Sequence, residues 1–240
     1  MISATRFATR FTSFWLECLG PMAYFFVQDA NRRSQVIFPP IKGLSDAKNH
    51  GRIGEVACQL YEASLRDPAL LRNKRRAFSA IERTLDFAAS EFDRSAKSVD
   101  PELGTLGQIE KNETVEVACR ISAFVAQYGL GKSVIASPRF QGCGFVDQSR
   151  GDLILGDTLY EIKAAARNYL LTDFRQLLVY LALNASAGSY DIKRVGLFNP
   201  RTGDHFDLPA EVFAASISGK HSAELFSEIL EFISGGGVSR

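Results

Sequence analysis

Residues 151–163, GDLILGDTLYEIK, constrain the fold more than any other stretch. Gly156-Asp157 between two apolar runs is a favoured two-residue hairpin loop. With that turn, Leu155 pairs with Thr158, and counting outward sets Asp152 opposite Glu161. Residues opposite one another in an antiparallel pair have Cβ atoms roughly 5 Å apart, and like charges there are destabilising. Alternation sends Asp152, Ile154, Leu159, Glu161 and Lys163 to one face and Leu153, Leu155, Tyr160 and Ile162 to the other. Large apolar groups on both faces predict a central strand pair, so three charges enter a partly buried place. An unpaired buried charge is costly, and two facing carboxyls shift their pKa until one takes a proton. A divalent cation between Asp152 and Glu161 removes the conflict, and an all-oxygen ligand set suits Mg²⁺ or Mn²⁺. The residues alone leave a second solution open, in which Lys163 neutralises the two acids in an ion cluster.

Around this hairpin the pattern is mixed. Residues 5 to 95 read as helical, interrupted by FPPIKG at 38–43 and by Pro68, with Phe7, Phe11, Phe14 and Trp15 giving an amphipathic first helix. DRSAKSVDPELGT loses periodicity and reads as a linker near residue 100. Beyond it come a helix from Asn112 to Gly129, a strand in SVIASPRF, the hairpin, and a strong helix in TDFRQLLVYLALNASAG. Strands in KRVGLFNP and GDHFDLP follow, then a helix in SAELFSEILEFI. The order α-β-β-β-α-β predicts an α/β fold with a mixed sheet covered on both faces. Residues 1–100 are expected to form a helical N-terminal region and 105–240 a second domain.

Composition excludes several functions. With 28 Lys and Arg against 27 Asp and Glu, the 240 residues carry a formal net charge of +1, so binding to nucleic acid or an anionic membrane must come from local patches. Cys18, Cys58, Cys119 and Cys143 form no CxxC pair, which argues against a zinc site or a disulfide framework and for free thiols in the cytoplasm. CLGPMAYFFVQ is too short to span a membrane. The acid-free start MISATRFATRFTSFW has the composition of a transit peptide, but its helical spacing favours a packed helix. GLGKS at 129–133 follows a helix and lacks the first glycine of a phosphate loop, since Ala126 stands there. His50, His205 and His221 lack metal-ligand spacing.

On the helix after the hairpin, Gln176 and Tyr180 are four apart and share a face, while Phe174, Leu177, Leu178 and Leu181 cover the rest. Gln176 either meets something polar or serves the helix start, where DFRQ is capping-box-like with Asp173 at the cap. Asp152, then EIK at 161–163, then QLLVY at 176–180 resembles the PD-(D/E)xK nuclease superfamily, in particular its RecB-like branch with a QxxxY motif. The resemblance covers roughly residues 110 to 200. No proline precedes Asp152, where SRGD stands.

That resemblance implies a restriction-endonuclease-like core and a Mg²⁺- or Mn²⁺-dependent nuclease acting on DNA. Asp152, Glu161 and the backbone carbonyl of Ile162 would be metal ligands, with Glu116 added from the preceding helix and Glu113 as its rival. Lys163 would position or activate the attacking water, and Gln176 and Tyr180 would brace the site and contact the substrate backbone. Residues 131–201 hold nine Lys and Arg against six Asp and Glu. From these and from RNKRR at 72–76, Arg75, Arg76, Arg139, Arg167 and Arg175 are the expected nucleic-acid contacts, with Arg201 also counted toward a groove lining. So small a surplus suggests a homodimer or a partner protein for targeting. The alternative is a non-cleaving binding or structural module that keeps the fold.

Overall fold

The computed structural model describes residues 1–43, 45–94 and 106–235, with side chains described outside residues 87–94; the linker expected near residue 100 lies outside the described residues. The elements in chain order are α1 (Ala4–Thr9), α2 (Thr12–Leu19), α3 (Met22–Arg33), β1 (Gln35–Val36), α4 (His50–Arg66), α5 (Lys74–Arg94), α6 (Gln108–Tyr128), β2 (Val134–Ala136), β3 (Arg139–Phe140), β4 (Ser149–Arg150), β5 (Leu153–Leu155), β6 (Thr158–Ile162), α7 (Leu171–Ala187), β7 (Arg194–Asn199), β8 (Asp204–Pro209), α8 (Ala210–Ser218) and α9 (Ser222–Ser234). Among the described residues no helix is long and apolar enough to cross a membrane.

The β5–β6 hairpin forms in the expected register, with Leu155 opposite Thr158 and Leu153 opposite Tyr160. Gly156 takes the left-handed conformation that the tight turn requires, at φ +62°. The hairpin lies inside a six-stranded mixed sheet of order β1-β8-β7-β6-β5-β2. Its parallel pair is β6–β7, which α7 connects by a crossover. All five residues of β6 are buried, as a strand covered on both faces must be. Leu153, Leu155, Tyr160 and Ile162 join one apolar cluster with Ile53 and Leu60 of α4, Ile81 of α5 and Phe124 of α6. Ile154 and Leu159 join the other, with Phe7, Trp15 and Phe26 of the first three helices, Leu177 of α7, Phe213 of α8 and Ile229 of α9.

Helices α1–α5 therefore supply part of both layers, and β1 extends the sheet by pairing Gln35 with His205 and Val36 with Asp204. The expected single first helix is two. Phe11 adopts φ +56° between α1 and α2, and its ring joins Phe7, Phe145 and Phe232 at centroid distances of 5.4 to 5.6 Å. SVIASPRF is likewise broken: Ser137 has φ +51° and Pro138 offers no N–H, so β2 pairs with β5 while β3 pairs with β4. α6 begins at Gln108, four residues before the expected cap at Asn112, and closes on Gly129 as expected.

Trp15, the chain's one tryptophan, is fully buried in one layer, and Phe124 is stacked on Phe198 at 4.2 Å in the other. Urea unfolding followed by Trp15 fluorescence and by far-ultraviolet circular dichroism should give one superimposable transition. Phe124→Ala should lower both readings alike by about 3–5 kcal/mol. A fluorescence transition that ignores Phe124→Ala would show that the layers unfold separately.

Candidate functional site

The register that pairs Leu153 with Tyr160 sets Asp152, the residue before β5, across from Glu161. Asp152 Oδ2 accepts the Ile162 N–H at 2.7 Å, which holds the carboxylate against the end of β6. Glu161 is 4% exposed; its Oε1 accepts Lys163 Nζ at 2.9 Å, while its buried Oε2 has no hydrogen-bond partner. Lys163 Nζ also donates to Gln176 Oε1 at 2.8 Å and stands 4.0 Å from Asp173 Oδ1. Gln176 Nε2 donates to the Tyr180 hydroxyl at 2.8 Å, and that hydroxyl donates to the Arg150 carbonyl at 2.7 Å. Gln176 thus meets the buried lysine rather than the helix start. Asp173 is not the cap but lies three residues inside α7, where its Oδ2 accepts the Leu170 N–H at 2.8 Å.

The electrostatics follow from burial. Burial first, and then the charge of Asp152, push the Glu161 carboxyl up to about 8. Burial also raises Asp152, opposed first by the Lys163 charge and then by the Ile162 N–H. Burial works against the Lys163 charge, yet Glu161, Asp173 and Asp152 together hold its pKa above the ordinary lysine value. Arg167 grips Asp173 through two bonds of 2.7 and 3.0 Å, and its pKa is raised by them. Asp152, Glu161 and Asp173 thus face Lys163 and Arg167, three carboxyls against two cations. One negative charge remains for a proton or a metal ion.

Asp152, Glu161, Lys163, Arg167, Gln176 and Tyr180 line a cavity of about 490 Å³ that also takes in Thr5 of α1, Arg150, and Gly51, Glu55, Cys58 and Gln59 on one face of α4. Among the described residues no cluster of three or more His, Cys, Asp or Glu is arranged to hold a metal. Mg²⁺ commonly uses only one or two carboxylates and completes its shell with water. Asp152 and the partnerless oxygen of Glu161 fit that donor set.

The remaining expected residues divide. Arg167 lines the cavity, and Arg139 is exposed on β3, paired across from the cavity-lining Arg150. Glu116 is not brought to the site: it is exposed on α6 and ion-paired with Arg120 at 2.9 Å. Its rival Glu113 is buried elsewhere, accepting from Arg201 at 2.8 Å and from Ser45. Arg175 is buried with its guanidinium 5.5 Å from the Trp15 ring, which takes it out of reach of a ligand in the cavity. Arg201 is buried as well and donates to the Ala164 carbonyl at 3.1 Å. Arg75 and Arg76 are exposed around a separate hollow, where Arg76 pairs with Asp67.

Sequence reasoning missed two sets of residues. One is the α4 face; Glu55 supplies a cavity acid from a helix some hundred positions upstream of the hairpin, and its charge raises Asp152. The other holds the irregular segment 163–170. Asn199 Nδ2 donates to the Ala165 carbonyl at 2.7 Å, His50 Nδ1 accepts the Ala166 N–H at 3.4 Å, and Asn31 bonds both backbone groups of Tyr169. The only sequence signal for them is that polar residues in apolar strands and helices must find partners.

A raised carboxyl pKa sets the sign of a pH effect. Between roughly 4.3, where an unperturbed glutamate ionises, and about 8, the folded protein keeps the Glu161 proton and the unfolded chain does not. Stability must therefore fall as pH rises through that window and level off above it. Urea melts in EDTA at pH 5, 6.5 and 8 should show Glu161→Gln gaining on the wild type as pH rises, and a constant difference would refute the assignment. No protein-family model matches the chain, and no curated protein matches it.

Proposed function

We propose that the chain is a metal-dependent nuclease of the PD-(D/E)xK superfamily, with a restriction-endonuclease-like core, that hydrolyses DNA phosphodiester bonds. The observation that carries this reading is the state of Lys163. An ammonium has three donors; two go to Glu161 and Gln176, and the third has no hydrogen-bond partner among the described residues, on a side chain that lines the cavity. A lysine present only to neutralise the acids would not need a glutamine, itself fixed by Tyr180, to aim it. The order α6, β2, β5, β6, α7, β7 adds support.

Asp152 and Glu161 would hold Mg²⁺ or Mn²⁺, which when bound supplies Lewis-acid stabilisation of the phosphoryl oxygens and a more acidic water. The chain's own residues do the rest. Lys163 offers its remaining N–H to the attacking water or to a phosphate oxygen, stabilising charge as it develops. Gln176 and Tyr180 fix the direction of that N–H, and Arg167 and Arg150 bring positive charge to the cavity for the flanking phosphates. The low net charge leaves targeting to a second copy or a partner protein.

Linear, circular and single-stranded DNA incubated with Mg²⁺ or Mn²⁺ should be cleaved, and Lys163→Met and Asp152→Asn should each lower the rate by about 10²-fold or more. Failure of every substrate in both metals would sink the reading in favour of a non-cleaving module. Mn²⁺ should raise the wild-type melting temperature more at pH 8 than at pH 5, where the metal must displace the Glu161 proton, and should leave Asp152→Asn unchanged.

A further inference from the structure

α5 carries positive charge where a helix least favours it. The macrodipole makes a first turn attractive to acids and unfavourable to cations, yet this one holds Lys74, Arg75 and Arg76 and no acidic residue. A solvated face ordinarily intersperses charges of opposite sign at i,i+3 and i,i+4. Around Arg75 those positions are Leu71, Arg72, Phe78 and Ser79. Residues 66–83 hold six Lys and Arg against two Asp and Glu, whereas the whole chain has a surplus of one.

Two of these cations have local uses. Lys74 Nζ lies over the Phe78 ring at 5.5 Å, and Arg76 pairs with Asp67. Arg75 and Arg83 make no ion pair among the described residues, and with Ser79 between them they fall at i, i+4 and i+8 on one helix face, around a hollow of about 320 Å³. The Arg76 N–H is already taken by Asn73 Oδ1 at 3.1 Å, so it is the guanidinium groups and the Ser79 hydroxyl that face a ligand, not the helix end. Arg75, Arg76 and Arg83 against Asp67 leave the hollow with two positive charges. A backbone diester brings one negative charge, whereas a phosphate monoester brings about 1.5 to 2 and three strong acceptor oxygens. A guanidinium fork matches two of those oxygens at once. The hollow is distinct from the cavity: Gln59, the last α4 residue to line the cavity, and Asp67, at the end of α4, are eight residues apart, about 12 Å along the helix.

We propose that this hollow is a second anion site, which takes a phosphate monoester between Arg75 and Arg83 with Ser79 as a further donor. The site stands on α5 and does not depend on the nuclease reading. The test uses the full chain in EDTA at pH 7.5. Inorganic phosphate should raise the wild-type melting temperature more than dimethyl phosphate, a diester, does at equal ionic strength. That excess should be lost in Arg75→Gln/Arg83→Gln and reduced in Ser79→Ala, neither of which should melt more than about 2 °C below the wild type without phosphate. The variants separate binding from the general stabilisation that excluded salts give any fold. Labelled dodecamers with a 5′-phosphate, a 3′-phosphate or only hydroxyl ends distinguish the two sources of such a group. At least tenfold tighter binding of a phosphorylated end, lost in the double variant, identifies the end of a nucleic acid. Equal binding of all three, with the excess for inorganic phosphate intact, identifies a free small molecule. No excess over the diester, or the same excess in the folded double variant, overturns the proposal.

Discussion

Two carboxyls forced together by a hairpin register are the constraint on which the rest of the site depends. The Gly156-Asp157 turn fixes the pairing, and the apolar faces of β5 and β6 forbid a slip, since a one-residue shift would turn every core side chain toward the wrong layer. Asp152 and Glu161 cannot escape each other without unmaking the core. The protein meets the conflict with a proton held on Glu161, with Lys163, and with the Ile162 N–H. The arrangement stays one cation short, the condition under which a divalent ion binds by replacing a proton.

Rigidity around that charge cluster comes from elements far apart in the chain. β6 delivers Glu161 from the middle of the sheet, α7 delivers Gln176 and Tyr180, and the irregular segment carrying Lys163 and Arg167 is held by Asn31, His50, Asn199 and Arg201. Almost every polar group there is bonded to backbone or to a partner of opposite charge, so the exceptions stand out. Glu161 Oε2 is one, and a buried polar atom with no partner is destabilising unless something else supplies the interaction.

Much of this was legible in the sequence because it is local or periodic. Turn chemistry gave the register, alternation gave the faces, and i,i+4 spacing put Gln176 beside Tyr180. The failures share a physical origin. Arg175 looks like a surface cation, but α7 is buried all round, so a long side chain on it packs on Trp15 instead of reaching solvent. Glu116 follows from the resemblance, which implies an acid from the helix before the hairpin, whereas the cavity wall is α4, and periodicity gives that helix an apolar face without saying that it packs on α6. The early start of α6 and the break at Phe11 are decided by tertiary contacts that outweigh local preference.

The pairing of β1 with β8 has a consequence for biosynthesis. Gln35 and Val36 find their partners only in residues 204 and 205, and the ring of Phe14 stacks at 4.0 Å on Phe232. A ribosome adding about 5–20 residues per second emits the first three helices on the order of ten seconds or more before their partners emerge. During that interval the aromatic residues of the leading segment have one another but lack the Phe232 ring that covers three of them in the finished fold. The longer that interval, the longer apolar surface stays open to other chains, so slow elongation is the hazard for the newly made protein.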